Sequence, residues 1–534
     1  MSAPMTSGKS DHWGSRFGFI MAAVGSSVGL GNLWRFPFTA GENGGSAFIL
    51  IYLFCVLLFG LPVLIAEYAV GRHGGRSAIA GVRYITEREN KSSAWISLAW
   101  IGAFASLLIF SFYVVIAAWV FDYIPQAFFG KFSGFAADTD LLNASIGATA
   151  ESLKDQIGSI KLDSTCAFVD ESGVITQLKD ADGNLRALNE GDVSGCKFGQ
   201  TTSNKMEMLL YFSGFLILNV FIVSRGIKGG IEKAAEILMP AFFVMLLGMV
   251  AFALIQGDAA KTASFLFNPD FTKVNLATVL AALGQAFFSL SVGSALMVTY
   301  GAYLTRDTNI PKSSAMVAGT DTFVALIAGF AIFPIVFQAG LDPAGGGGLF
   351  FETMPVAFGK LPSIVGGLFF TLALFAAFTS SISLFEVGVS WLEDQRSIGR
   401  VKGAIGLGLI MFVLGVCYIY RGDLIDHADF LTGQVLLPLG GVLIALFAGW
   451  VLPKHVLAEE IGEGAHLAIV RVLLRYLVPI ALSVILVLGT IATLHKNYGM
   501  PLDRGIAEML GVASEEAPPE DVEPAEEDDV TAAE

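Results

Sequence analysis

Residues 25–32 read Gly-Ser-Ser-Val-Gly-Leu-Gly-Asn, in the middle of the first apolar stretch of the chain, 17–39. Three Gly, two Ser and one Asn in eight residues make a poor helix interior, because Gly and short polar side chains favour competing backbone conformations. In lipid an unpaired N–H or C=O has no water to turn to, so such an interruption persists only where protein walls a polar cavity. Ser289-Leu-Ser-Val-Gly293 interrupts a second apolar stretch, 276–304, in the same way. The bland alternative is that Gly and Ser merely let helices pack closely; the polar residues flanking both breaks favour a cavity. Freed carbonyls at a break suit a cation, and the N-terminus of a half-helix suits an anion.

The rest of the chain places these breaks in a membrane. Of 534 residues, 54% are hydrophobic and 15% charged, with mean hydropathy +0.67, whereas soluble domains carry about 25% charged residues. The apolar stretches run to roughly 20 residues, the length that crosses a bilayer core about 30 Å thick; outer-membrane barrels read as short alternating segments and are excluded. Eleven spans are expected, at 17–39, 46–71, 94–129, 207–224, 234–256, 276–304, 312–340, 363–394, 402–420, 430–451 and 466–493. The two breaks stand five spans apart, as in two inverted five-helix repeats that each begin with a discontinuous helix. The fold class is therefore an all-α membrane protein, with residues 1–16 as an N-terminal segment, 17–256 as the first repeat, 276–451 as the second, 466–493 as an eleventh helix and 494–534 as an acidic, disordered tail.

Charge orients the chain. Connections beginning at residues 72 and 225 carry Arg72, Arg76, Arg83, Arg88, Lys91, Arg225, Lys228 and Lys233, so the positive-inside rule puts the N-terminus in the cytoplasm of a multi-pass inner-membrane protein. Ten of the acidic residues behind the net charge of −15 crowd into 515–534, too polar to bury a core. No basic face exists for a nucleic acid. The segment 130–206 reads as a long external loop; its Cys166 and Cys196 lie on the oxidising side and either bridge or stay free. A second external segment, 341–362, reads as a Gly-rich connection followed by a short lid-like helix.

At this point the chain resembles the neurotransmitter:sodium symporter family, through HWGSRFGFIMAAVGSSVGLGNLWRFPFTAGENGGSAF (12–48), GQAFFSLSVGS (284–294), FAAFTSSISLFE (375–386) and LED (392–394). The resemblance implies the leucine-transporter-like fold with discontinuous helices 1 and 6, and co-transported Na⁺. It implies a first sodium site at the Ser27 carbonyl, Asn32, Ser289 and Asp321, and a second at the carbonyls of Gly25, Val28 and Ala376 with the hydroxyls of Thr379 and Ser380. Substrate contacts carried over are Ser27, Leu30, Gly31, Tyr113, Phe288, Ser289, Ser291, Ser294, Ser380 and Leu384. Arg35 with Asp429 would latch one side; Gln285 belongs with these gating groups, and Trp13 with Asp394 would close the other side. The hydroxyls of Thr379 and Ser380 have an alternative use, bonding back to carbonyls of their own helix.

Several positions shape the expected substrate. Gly29 stands where relatives that carry biogenic amines usually have Asp, which favours an amino acid bringing its own carboxylate. Asp321 replaces the Asn most common in the family, and Ala325 stands at the family's chloride-or-glutamate position beside Tyr52 and Gln285. A buried cation needs a compensating charge, so Asp321 is expected to supply it and to free transport from chloride. Ser294 replaces a bulkier side chain, which suits a large hydrophobic or aromatic substrate; a polar substrate using the hydroxyl is the alternative. The usual basic partner of Asp394 aligns with Ser10, leaving Lys9 as the nearest substitute. Glu67 is expected to cap the second break, and Glu386 serves either a structural bond or a proton. The resulting expectation is a sodium-coupled amino-acid symporter, not an enzyme, embedded in lipid and compatible with a homodimer. A same-fold carrier of another small organic solute and a non-transporting amino-acid sensor are the alternatives.

Overall fold

The computed structural model describes residues 12–180, 183–343, 348–396, 398–502, 506, 507 and 510. Among them, nine helices are long and apolar enough to cross a membrane: Ser46–Gly74, Ser93–Phe128, Lys205–Ser224, Ile227–Gln256, Ile310–Gln338, Ser363–Gln395, Arg400–Tyr420, Asp423–Val451 and Ala465–His495. The bent pair Arg16–Ser27 and Gly31–Glu42, whose halves differ by 49°, makes a tenth crossing. The stretch 276–304 folds as Leu276–Ser289 and Leu296–Ala302, each too short to cross alone, so the expected count of eleven is not reached by length and composition. The partner residues Lys9 and Ser10, residues 345–347 and most of the acidic tail lie outside the described residues.

Both breaks have local causes. The first helix starts on Ser15, whose hydroxyl accepts from Gly18 N at 2.8 Å, and ends where Val28 turns extended at φ −74°, ψ 102°. In the second, Ser291, Gly293 and Ala295 take φ of 54°, 84° and 57°, left-handed values that no right-handed helix can pass through. Gly293 is required twice over: a Cβ there would lie 2.3 Å from the Leu437 carbonyl. Glu67 Oε1 accepts from Gly293 N at 2.7 Å, so this carboxylate caps the broken end.

Around the breaks, Ser97–Phe128 packs along Ser363–Arg396, and Arg16–Ser27 nests among Ser363–Arg396, Lys233–Gln256 and Ile310–Gln338. The segment 130–206 is more ordered than a loop reading suggests. It holds helices Phe135–Ala144, Ala150–Leu153 and Glu190–Ser203 and a two-residue antiparallel ladder, Leu178–Lys179 with Leu185–Arg186. Cys166 and Cys196 are bonded to each other across 30 residues of sequence, and Asn189 and Asp192 form a reciprocal capping box at the start of the last of these helices. Phe198 from this segment stacks on Phe351, centroids 5.1 Å apart, which pins the short helix Leu349–Gly359. We call this side of the molecule the loop face.

The opposite face is tied together by a buried carboxylate. Glu460, in Lys454–Ile461, accepts from Arg72 Nε at 2.6 Å and from Arg306 Nη1 at 2.6 Å, and sits 3.0 Å from His73 Nδ1. Arg72 also donates to the Glu460 carbonyl.

Candidate functional site

The first break brings three carbonyls to one hydroxyl. Ser380 Oγ lies 3.2 Å from Gly25 O, 3.3 Å from Ser26 O and 3.4 Å from Val28 O. A hydroxyl owns one proton, so two of these oxygens face another oxygen without a donor between them. That is a hard-oxygen cluster of the kind an alkali cation would satisfy. Thr379 Oγ1 bonds back to Ala376 O at 3.1 Å and Phe375 O at 3.2 Å, the helix-bonded alternative, while its Cβ lies 3.0 Å from where a Gly25 Cβ would stand. Gly25 O, Val28 O and Ser380 Oγ thus meet, with Thr379 packed beside Gly25 and the Ala376 carbonyl bonded to Thr379 within its own helix.

A second cluster joins the two breaks to each other. Asn32 Nδ2 donates to Asp321 Oδ1 at 2.9 Å, to Asp321 O at 3.2 Å and to Ser289 Oγ at 3.2 Å, and Asn32 Oδ1 accepts from Gly29 N at 3.0 Å. Ser289 Oγ donates to Asp321 Oδ2 at 2.6 Å. Asn32, Ser289 and Asp321 are all buried, and no cationic side chain among the described residues pairs with the Asp321 carboxylate. A buried carboxylate held only by neutral donors is costly. The Ser27 hydroxyl bonds back to Ala23 O at 3.3 Å; the ligand expected from this residue is its carbonyl. Gln285 donates to Gly31 O at 3.3 Å, and Ala325 and Tyr52 are buried.

Between the clusters lies a cavity of about 50 Å³, lined by Ser27, Gly29, Gly31, Tyr113, Phe288, Ser289, Ser291, Ser294, Ser380 and Leu384. Of the expected substrate contacts, only Leu30 is absent from this lining; its N–H donates to Tyr113 Oη at 3.3 Å. A Cβ on Gly29 would meet Ser380 Oγ at 2.6 Å and Tyr113 Oη at 3.2 Å, so this conformation has no room there for an Asp. The Ser294 hydroxyl donates to Ser291 O at 2.7 Å. Ser26, Ile109 and Leu437 also line the cavity and were not expected.

The two sides of the cavity differ. On the loop face a vestibule of about 450 Å³ contains Trp34, Arg35, Tyr113, Phe288, Phe351 and Asp429. The Arg35 guanidinium sits 4.3 Å over the Phe288 ring, and no ion pair joins it to Asp429. The expected latch is therefore not closed as an ion pair in this conformation, in which the Phe288 ring face takes the guanidinium and Arg35 and Asp429 both line the vestibule. On the opposite face Trp13 is buried, its Nε1 donating to Tyr300 O at 3.3 Å. Glu232, unforeseen in the sequence, holds this end: it accepts from Gly14 N at 2.6 Å and Ser15 N at 2.9 Å. Asp394 accepts from Ser77 N at 2.5 Å. Glu386 is paired with Arg400 and accepts from Tyr303 Oη at 2.8 Å.

Two interrupted helices enclosing an oxygen-lined cavity, closed on one side and approached by a vestibule on the other, define a membrane transporter. The chain belongs to the sodium:neurotransmitter symporter family, whose pattern matches residues 10–498. It is 33% identical over 501 residues to the sodium-dependent transporter YhdH of Bacillus subtilis (strain 168), covering 90% of this chain and 98% of that one. It is 29% identical over 497 residues to a sodium-dependent transporter of Haemophilus influenzae, covering 89% and 97%. The crystal structure of MhsT in complex with L-phenylalanine matches with a TM-score of 0.72 and 34% identity, over 89% of this chain and 98% of that one. The chain is thus a sodium-dependent, multi-pass transporter and not an enzyme.

Proposed function

We propose that this transporter is a symporter that carries one amino acid with a hydrophobic or aromatic side chain into the cell with Na⁺, by alternating access and without chloride. The observation that carries the reading is the Asn32–Ser289–Asp321 cluster, in which each broken helix supplies one polar side chain to a buried carboxylate. In this reading a sodium ion enters beside Asp321 when Asn32 presents its amide oxygen and Ser289 its lone pairs. The substrate carboxylate replaces Tyr113 as the partner of the Leu30 amide and completes the sodium shell. Coupling follows because neither charge is comfortable in the cavity without the other. A second ion among the Gly25, Val28, Ala376, Thr379 and Ser380 oxygens braces the first break against the Ser363–Arg396 helix.

Closure then proceeds from the loop face. Arg35 leaves the Phe288 ring for Asp429, and the opposite side opens when Trp13 and the Glu232 contacts release. The phenylalanine in the MhsT complex supports the substrate class, as does the lack of space for an acidic side chain at Gly29. The Arg-rich connection after residue 71 supports a cytoplasmic N-terminus in a bacterial inner membrane, with the loop face outward. The test is a sodium-dependent binding screen across the twenty amino acids on purified protein. Large hydrophobic side chains should rank first, with binding unchanged when gluconate replaces chloride; binding that persists in choline, or collapses in gluconate, contradicts the proposal.

A further inference from the structure

We propose that Leu437 is a movable wall that sets the largest side chain the substrate cavity accepts, and that a bulky side chain passes it into the cavity behind. This rests on reading the chain as an amino-acid symporter. The cavity between the breaks measures about 50 Å³, whereas an apolar cavity that takes a benzene ring measures on the order of 150 Å³. An aromatic side chain has no place in it as it stands.

A second cavity, of about 190 Å³, lies beside the first, with walls that include Leu280, Phe287, Leu482 and Ile485. Among the described residues, Phe288 and Leu437 alone line both cavities. Phe288 also faces the vestibule and carries the Arg35 guanidinium on its ring, so moving it disturbs the gate. The Leu437 side chain carries no such cation, and its backbone lies where a π-helical turn meets a proline. Residues Leu431–Leu436 form a π-helix and Pro438 follows at the start of the next helical segment; a π-turn places hydrogen bonds out of the ordinary ladder, and Pro contributes no N–H to it. Among the lining residues, Ser294 presents only a small side chain, already turned to Ser291 O. A rotamer change at Leu437 alone would therefore join the two spaces, and Leu280, Phe287, Leu482 and Ile485 beyond it offer apolar contact to a phenyl or an indole, beside the polar Arg35, Gln434 and Thr493.

The experiment measures competition by L-alanine, L-leucine, L-phenylalanine and L-tryptophan for sodium-dependent binding to the full chain, in wild type, Leu437→Ala and Leu437→Phe. A methylene in a side-chain pocket is worth about tenfold or more in discrimination. Leu437→Ala should therefore raise the tryptophan-to-alanine affinity ratio at least about tenfold, and Leu437→Phe should lower it by a similar factor. Leu437→Val, a milder truncation, should shift the ratio in the same direction as Leu437→Ala by a smaller factor, and keeps the test open if the larger change does not fold. A common shift of all four amino acids in every variant would assign Leu437 to packing and overturn the inference. Absence of sodium-dependent binding of any of the four to wild type would instead sink the underlying symporter reading, and this inference with it.

Discussion

Asp321 is the residue on which the charge balance of the cavity turns. It is buried and held by Asn32 and Ser289, with no cationic side chain beside it among the described residues. Hydrogen bonds to a charged group contribute roughly 1.5–3 kcal/mol, and a directly bound cation adds Coulomb energy to that. Asp321→Asn should raise the sodium concentration for half-maximal substrate binding by about tenfold or more, read by sodium titration at fixed substrate; an unchanged titration would place the ion elsewhere. Gly29→Ala puts a Cβ 2.6 Å from Ser380 Oγ. It should weaken substrate binding at least about tenfold, since overpacking costs roughly 1–3 kcal/mol, while a stability assay shows the protein still folded. At this scale the polar residues were legible because a Gly, Ser or Asn inside an apolar run has few reasons to be there. Ile109 and Leu437 were not, since an apolar side chain facing the cavity looks in sequence like one facing a neighbouring helix. Glu232 was missed for the same kind of reason: its partners are backbone amides 217 and 218 positions away, which no local pattern announces.

At the scale of elements, both helix breaks were readable from composition, and the left-handed φ values at Ser291, Gly293 and Ala295 show how the second is made. The helices of 130–206 were not readable, because they are short, weakly apolar and fixed by a disulfide and a capping box more than by periodicity. The Lys454–Ile461 helix was also invisible as an anchor, although it holds Leu61–Gly74 and the approach to Ile310–Gln338 together through Glu460. Burial alone would raise the Glu460 pKa; hydrogen bonds from His73 and Arg72 and the charges of Arg72 and Arg306 outweigh it and hold the carboxyl below its ordinary range. A carboxylate depressed in the folded state contributes stability that is complete above its unfolded pKa of about 4.3 and is lost as pH falls through the lower folded value. The melting temperature of the wild type should therefore drop below about pH 4 by more than that of Glu460→Gln, which is already destabilised by roughly 3–5 kcal/mol at neutral pH. Parallel melting curves for the two proteins across this range would remove Glu460 from the account.

For the whole molecule, the fold class followed from hydropathy and the family from its motifs, but the conformation was not in the sequence. A vestibule on the loop face, no ion pair between Arg35 and Asp429, and a buried Trp13 on the opposite side fit the stage of the proposed cycle in which substrate approaches from the loop face. If that face is external, Cys166 and Cys196, once reduced in intact cells, should react with a membrane-impermeant maleimide, and Cys-free controls should not. Labelling only after the cells are opened would invert the proposed orientation. The central claim is that two broken helices hold sodium and an amino acid together at one buried carboxylate. Uptake of a labelled hydrophobic amino acid into proteoliposomes under an imposed sodium gradient tests it most directly. Accumulation should collapse when choline replaces external sodium and be absent in Asp321→Ala; accumulation that is equal in choline, or undiminished in Asp321→Ala, would refute a shared sodium and substrate site at Asp321.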